Sequence, residues 1–416
     1  MPVQTISRRQ VSLCGRFLAT KSSVNFIKVQ TLTSTANIPQ TLMALDSINN
    51  CFGRTLNPAN RLLTAGGSSG GEGALIAMRG SLLGVGTDIG GSIRIPAMCN
   101  GLYGIKPSVG RVPYGGQVCA MRKGGGKLGL ASAAGPLSTS LRDCELFLKT
   151  VAESEPWECQ ADVVPGFWES QGQAGGQWEP PVFGVLRTDL NTTPLPPIAK
   201  ALDETVQALR EKGLDVHEVD PTAFQKCQGL ANKFFSAGGD NEMLDLLEET
   251  GEPLIPWLAS RIKRRPAQGV KFLEDKQVER EALVADMLTC FKTKDGRRID
   301  VILTPVAPHP VPEVDRWNAT GYTASFVLLD WAAGVIPVRA CNSKDIELEM
   351  TGEVRGNWDK RNRELWDKKT VDRKLYVGSP LSIQVLAPRL QERRLVEGMK
   401  IIQQVLGGSA NSKAKL

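Results

Sequence analysis

The sequence predicts an α/β fold in which a mixed β-sheet is covered by helices on both faces. Short apolar runs typical of buried strands alternate with segments whose apolar residues recur at helical spacing, and the alternation continues from residue 182 to residue 406. The 416 residues are 41% hydrophobic and 23% charged, which is an ordinary globular composition with ample material for a large core. We therefore expect a single large α/β domain.

The first half of the chain contributes its elements in a clear order. Residues 42–46 predict a short helix. Residues 72–78 predict a helix whose N-terminus is the glycine- and serine-rich loop before it. Residues 82–85 predict a buried strand, and residues 87–92 predict the loop that leaves it.

The second half continues the same alternation. Strands are predicted at 182–186, 214–219, 299–303 and 381–386. Helices are predicted at 141–151 and at 198–209, the latter ending at Gly213. Residues 240–298 are mostly helical and charged, and we expect them to form a cap beside the site. A terminal amphipathic helix places Leu395, Val396, Met399, Ile402 and Leu406 on one face.

The most informative stretch, residues 66–94, contains two clusters in which serine lies among glycines. GGSSGG opens it, and DIGGS near its end places Ser92 directly after Gly90 and Gly91. Glycines beside a hydroxyl let the backbone approach a ligand with its N–H groups turned inward. A serine acyl-transfer enzyme needs this combination of a nucleophile and an oxyanion hole.

Other interpretations of the glycine-rich stretch fit less well. A phosphate-binding P-loop ends in Gly-Lys-Ser/Thr, which GGSSGGEGA lacks. A dinucleotide fingerprint requires a third glycine where this chain has Ile89. A purely structural loop remains an alternative. Histidine is an improbable base, because the chain has only His217 and His309 and neither lies in a recognisable motif.

Several ordered matches resemble one known family. GGSSGGEGA is followed by GTDIGGSIRIPA, NIPQ lies upstream at 37–40, and GLYGIKPSVGRVPYGG lies downstream at 101–116. Together they resemble the amidase signature family, serine hydrolases that cleave carboxamides with a Ser–Ser–Lys triad, and most of all its fungal acetamidase-type members. The resemblance implies the amidase signature fold, a large twisted mixed β-sheet between helical layers, over residues 35–406.

The resemblance also implies catalytic roles. Ser92 matches the nucleophile, and Ser68, 24 positions earlier, matches the bridging serine that the family holds on a cis peptide bond. Ser68 would relay a proton from Ser92 to a buried neutral lysine, because burial disfavours the ammonium form. The resemblance further implies an oxyanion hole formed by the backbone N–H groups of Ile89, Gly90, Gly91 and Ser92. It assigns loop support to Ser69, Thr87, Asp88 and Arg94.

The expected catalytic lysine was not found. In the family it lies upstream in the motif G-x-P-x-x-x-K-D, which this sequence does not contain. Only Lys21 and Lys28 precede Ser68, and the run Val11-Ser12-Leu13-Cys14 places Cys14 where the lysine would be. Lys106 belongs to the downstream GIKPS match and is not the base. Two hypotheses follow: an amidase with an incomplete N-terminus, or a catalytically impaired or non-catalytic protein with the amidase fold.

Composition limits the partners. The net charge of +6 is spread along the chain, so we expect no nucleic acid. The sequence contains no run of about 18 apolar residues, so we expect no membrane-spanning helix. Histidine is scarce and the nine cysteines are scattered without CxxC, so we expect no metal and no cofactor. The expected ligand is a small-molecule amide, and a homodimer is left open.

The chain is expected to divide into three parts. Residues 1–34 form an atypical N-terminal segment, residues 35–408 the amidase signature domain, and residues 409–416 a flexible C-terminal tail. Scattered cysteines favour a reducing compartment, which predicts the cytoplasm. The last residues, Ala414-Lys415-Leu416, resemble an SKL-type peroxisomal address, so the peroxisome is the alternative.

Overall fold

A computed structural model describes residues 36–115, 128–166, 168, 181–316 and 319–407. The predictions for segment 1–34 and tail 409–416, including its last three residues, lie outside this described part.

An eight-stranded mixed sheet forms the centre of the described structure, beside a two-stranded ribbon. The ribbon pairs β1 (Ile48–Asn49) with β2 (Gly53–Arg54). The remaining strands are β3 (Leu83–Asp88), β4 (Tyr103–Lys106), β5 (Ala133–Ser138), β6 (Phe183–Val185), β7 (Val216–Glu218), β8 (Val301–Pro305), β9 (Ala332–Ala340) and β10 (Pro380–Ala387). Their spatial order is β3-β5-β4-β9-β10-β8-β6-β7. Pairing is antiparallel from β3 to β8 and parallel from β8 to β7.

Twelve α-helices surround the sheet within the described residues. They are α1 (Gly70–Ala77), α2 (Arg94–Asn100), α3 (Leu141–Glu153), α4 (Pro196–Glu211), α5 (Cys227–Phe235), α6 (Asn241–Thr250), α7 (Pro256–Ala259), α8 (Val270–Met287), α9 (Gly321–Leu328), α10 (Ser343–Ile346), α11 (Asn357–Glu364) and α12 (Glu392–Val405). Helices α6 to α8 occupy the stretch predicted as a helical cap. Among the described residues, no helix has the length and apolar character needed to cross a membrane.

Helices cover both faces of the sheet, as β4 shows. Its alternate residues Tyr103 and Ile105 join the core cluster that also contains residues of α3 and α12. Gly104 faces the other way, where a Cβ would come within 2.8 Å of the Ala97 side chain on α2. Successive strand residues point to opposite faces. The predicted mixed sheet between helical layers is therefore confirmed.

The terminal helix illustrates how the apolar pattern determines packing. In α12, Leu395, Val396, Met399 and Ile402 are all buried, as the helical spacing predicts, whereas Leu406 lies at the C-cap and is only partly buried. The helix lies so close to β9 that a Cβ on Gly334 would be 2.3 Å from the Met399 sulfur. A glycine in the strand thus allows the close approach of the helix.

The structure differs from the sequence predictions in three places. The helix predicted at 42–46 is wrong: only a 3₁₀ turn forms at Gln40–Leu42, because Thr41 and Leu42 both have positive φ values that end helical geometry. Strand β3 continues past the predicted 82–85 to Asp88, since its later residues pair with β5. Cys51 is disulfide-bonded, which the scattered cysteine spacing did not predict.

Candidate active site

Ser68 lies in a tight loop that leads directly into α1. Ser68 is 2% exposed, and the peptide bond between Gly67 and Ser68 is cis, as the family resemblance implies. Segment 44–47 packs against this loop so closely that a Cβ on Gly67 would be 2.5 Å from the backbone nitrogen of Asp46. Only glycine fits at that position.

Ser92 lies between the end of β3 and the start of α2, and it is 5% exposed. The backbone N–H of Ser69 donates to the carbonyl oxygen of Ser92 at 3.2 Å. This bond joins the two glycine-rich loops, which the sequence separates by 24 positions. The fold therefore brings the predicted nucleophile and the predicted bridging serine to one place.

Asp88 and Arg94 form a fully buried ion pair beneath the loop of Ser92. The guanidinium donates twice, from Nε to Oδ2 and from Nη2 to Oδ1, each at 2.9 Å. Burial alone would raise the pKa of Asp88, but the Arg94 charge and its hydrogen bonds hold it below its usual value. The Asp88 carboxylate also accepts the backbone N–H groups of Gly91 and Ile93. The pair thus fixes the backbone around Ser92.

Two residues far along the chain complete this support. Arg94 donates to the Gln384 side chain at 2.7 Å and to the Thr323 carbonyl at 3.0 Å. The Thr323 hydroxyl donates to the Gly90 carbonyl at 2.6 Å. Sequence reasoning missed both residues, because each lies more than 200 positions from the loop and no local motif marks them.

The loop of Ser92 leaves backbone donors unengaged. The N–H of Gly91 donates to Asp88 at 2.7 Å, so it is already engaged within the protein. The N–H groups of Ile89, Gly90 and Ser92 have no acceptor among the described residues. A Cβ built on Gly90 would make only an ordinary van der Waals contact, 3.8 Å from Cζ of Phe235. Such donors are suited to bind an anionic oxygen.

Four residues with hydroxyl side chains lie in or beside the two serine-bearing loops. Ser68 and Ser92 are buried, as are Ser69 and Thr87, for which loop support was predicted. None of these four hydroxyls makes a hydrogen bond with the part of the chain that the structure describes.

No lysine or histidine of the described residues is bonded to either serine. Lys106 is 1% exposed, its ammonium donates to the Pro107 carbonyl at 2.9 Å, and burial lowers its pKa. His309 accepts the N–H of Ala319 in a buried loop, and burial lowers its pKa to about 4. His217 lies on β7, at the opposite end of the sheet from β3.

Comparison with known proteins shows the family of this chain. Residues 31–396 match the Amidase family, so the chain belongs to that family and the predicted enzyme class is confirmed. An acetamidase of Aspergillus oryzae is 34% identical over 380 residues, covering 89% of this chain and 68% of that protein. An acetamidase of Emericella nidulans is 32% identical over 383 residues, with the same coverage of both chains.

Solved structures agree on the fold. A fatty acid amide hydrolase superposes with a TM-score of 0.77 at 28% identity, covering 90% of this chain and 64% of that one. A 6-aminohexanoate cyclic dimer hydrolase superposes with a TM-score of 0.67 at 21% identity, covering 90% of this chain and 74% of its own. The chain thus spans about two thirds of the length of the curated relatives it matches.

Proposed function

We propose that this chain hydrolyses a carboxamide C–N bond through a serine acyl-enzyme. The Ser92 hydroxyl oxygen attacks the amide carbonyl carbon and loses its proton towards Ser68. The carbonyl oxygen becomes an oxyanion, the C–N bond breaks, and the nitrogen leaves as ammonia or an amine after taking up a proton. Water then cleaves the ester to a carboxylic acid and restores Ser92.

One observation carries this proposal. Ser92 lies on a loop where the N–H groups of Ile89, Gly90 and Ser92 have no acceptor among the described residues. Preorganised donors stabilise a developing oxyanion at no cost of reorganisation, and removing one typically costs about 10²–10³ in kcat. A loop of purely structural function would have its buried donors satisfied within the protein. A Cβ built on Gly90 would meet no atom closer than 3.8 Å, so no close contact crowds this part of the loop.

We propose a small-molecule amide as the substrate. The curated relatives named above are acetamidases, and one similar solved structure is a fatty acid amide hydrolase. These names support an amide as the reacting group. They span short and long acyl groups, so the proposal is limited to the carboxamide itself.

The alternative is an amidase fold with impaired catalysis. The observation that favours it is that no lysine or histidine of the described residues is bonded to Ser68 or Ser92. Without a base, a serine is a weak nucleophile at neutral pH. Under this alternative the site binds an amide weakly and turns it over slowly.

The release of ammonia from acetamide and from a primary aryl carboxamide separates the two candidate functions. The active-enzyme proposal predicts release by the parent chain, abolished by Ser92→Ala. The matched control is Ser379→Ala, which removes another buried hydroxyl, one that donates to Tyr376 away from the site. Release that persists in Ser92→Ala, or a folded parent that releases no ammonia, overturns the proposal, and the second result supports the impaired alternative.

A further inference from the structure

Helix α1 begins immediately after the bridging serine, and its first N–H groups require acceptors outside the helix. The first four N–H groups of any α-helix have no partner within it. Ser69 occupies the N-cap position, and serine there ordinarily accepts one of these groups with its own hydroxyl. In this chain the Ser69 side chain makes no capping hydrogen bond. The acceptors come from elsewhere.

Ser47, more than 20 positions upstream, supplies the first acceptor. Its hydroxyl oxygen accepts the N–H of Gly70, the first residue of α1, at 3.0 Å. The carbonyl oxygen of Asn37 accepts the next N–H, from Gly71, at 3.1 Å. A Cβ on Gly70 would lie 2.4 Å from the Ser47 hydroxyl oxygen, so glycine is needed for this approach.

The same hydroxyl also holds the backbone on the other side of Ser68. The Ser47 oxygen lies 3.0 Å from the carbonyl oxygen of Gly66 and 3.2 Å from that of Ser68. Its single proton donates to one of these carbonyls at a time. Ser47 is completely buried, so water does not substitute for these contacts. One side chain therefore spans the loop from Gly66 to Gly70.

We propose that Ser47 is a positioning residue that accepts the first N–H of α1 and fixes the backbone of Ser68. An N-cap serine ordinarily accepts the second or third N–H of its helix, and here the Asn37 carbonyl takes the second, so neither Ser68 nor Ser69 gives its hydroxyl to the helix. Both hydroxyls then stay available at the site, where the proposed function requires the Ser68 hydroxyl to take the proton of Ser92. The catalytic part of this inference rests on the proposed function, whereas the capping part does not.

The catalytic part is tested by the rate at which a fluorophosphonate labels Ser92. In labelling, the Ser92 oxygen forms a bond to phosphorus, fluoride leaves, and the hydroxyl proton is lost through Ser68. We expect Ser47→Ala to slow labelling about tenfold, as the loss of one positioning hydrogen bond implies. In a Ser68→Ala background, Ser47→Ala should have no further effect, because Ser47 acts through Ser68. An equal slowing in both backgrounds, or none in the parent, contradicts the proposal.

The capping part is tested by hydrogen exchange, which does not depend on reactivity. In the parent chain the amide of Gly70 should exchange slowly, although first-turn helix amides ordinarily exchange fast. Ser47→Ala should increase exchange selectively in residues 66–71, whereas Ser379→Ala should not. Rapid exchange of Gly70 in the parent overturns the inference without any variant. If the parent resists labelling while Gly70 is protected, the proposed function fails and the capping role of Ser47 stands.

Discussion

The two serine-bearing loops are supported in opposite ways. The loop of Ser92 rests on a buried charge pair, Asp88 with Arg94, that reaches backbone N–H groups on the same loop. The loop of Ser68 rests on neutral contacts, chiefly the Ser47 hydroxyl and the carbonyl of Asn37. The charge pair of the Ser92 loop lies within seven residues of sequence and is reinforced by Thr323 and Gln384, whereas the Ser68 loop is held by neutral groups from segments upstream.

This difference indicates which of the two loops depends on charge for its stability. A buried ion pair is costly to break, because the surviving partner is left charged and desolvated. A neutral hydrogen bond contributes less, and its loss leaves only an unsatisfied polar group. We therefore expect the Ser92 loop to respond strongly to loss of charge and the Ser68 loop to respond moderately to loss of hydroxyls.

The largest effect is expected from Asp88→Ala. Removing this carboxylate leaves Arg94 buried and unpaired, so the free energy of unfolding should fall by about 3–5 kcal/mol. Urea denaturation measures the change. The control is Glu153→Ala, in the exposed pair with Lys149, which should cost less than about 1 kcal/mol. Similar losses in the free energy of unfolding in both variants would contradict the claim that burial makes the Asp88–Arg94 pair costly to break.

The second largest loss of stability is expected from Gly91→Ala, for which Gly90→Ala is the matched control. Gly91 has φ near 130°, and a Cβ there would be 2.7 Å from the Thr323 hydroxyl. Strained backbone of this kind costs about 2 kcal/mol, and we expect that loss in the free energy of unfolding. At Gly90 the nearest atom is 3.8 Å away, so the same substitution should be nearly neutral for stability. Equal losses of stability in Gly91→Ala and Gly90→Ala, measured by thermal denaturation, would contradict the predicted clash with Thr323.

Glu72, on α1, provides the counterpart to Asp88, because it is a carboxylate with no basic partner among the described residues. Burial raises its pKa from 4.5 to about 7. The native state then binds more protons than the unfolded state between these values, so stability falls as pH rises through that window. The shift corresponds to about 3 kcal/mol at pH 8, which solvent screening of this partly exposed carboxylate reduces to about 2 kcal/mol. Glu72→Gln should therefore raise the free energy of unfolding at pH 8 by about 2 kcal/mol and leave it unchanged below pH 4. Stabilisation that is independent of pH would contradict this origin.

The smallest effect is expected from Thr323→Val. This change removes the hydroxyl that donates to the Gly90 carbonyl while keeping the shape of the side chain. A single hydrogen bond of this kind contributes about 1 kcal/mol to stability. The control is Thr205→Val, which removes a buried hydroxyl that donates within α4. Slower ammonia release in Thr323→Val than in the control indicates a role at the site, whereas equal rates limit Thr323 to stability.

The sequence predicted those features whose causes are local. The alternating apolar pattern predicted the mixed sheet and α12, and the ordered motifs predicted that Ser68 and Ser92 share a site. Support from distant segments could not be predicted this way. Ser47, Thr323 and Gln384 act through contacts that exist only once the chain has folded, and none lies in a motif quoted for the site. The turn at Gln40–Leu42 was missed because apolar residues alone do not reveal a positive φ.

The central claim is that Ser92 is a reactive nucleophile whose proton leaves through Ser68. The most direct test treats the folded chain with a fluorophosphonate and locates the adduct by tandem mass spectrometry. The account predicts one adduct, on Ser92, that forms more slowly in Ser68→Ala and at the parent rate in Ser379→Ala. An unlabelled folded chain, an adduct on another serine, or a rate that Ser68→Ala leaves unchanged would contradict it.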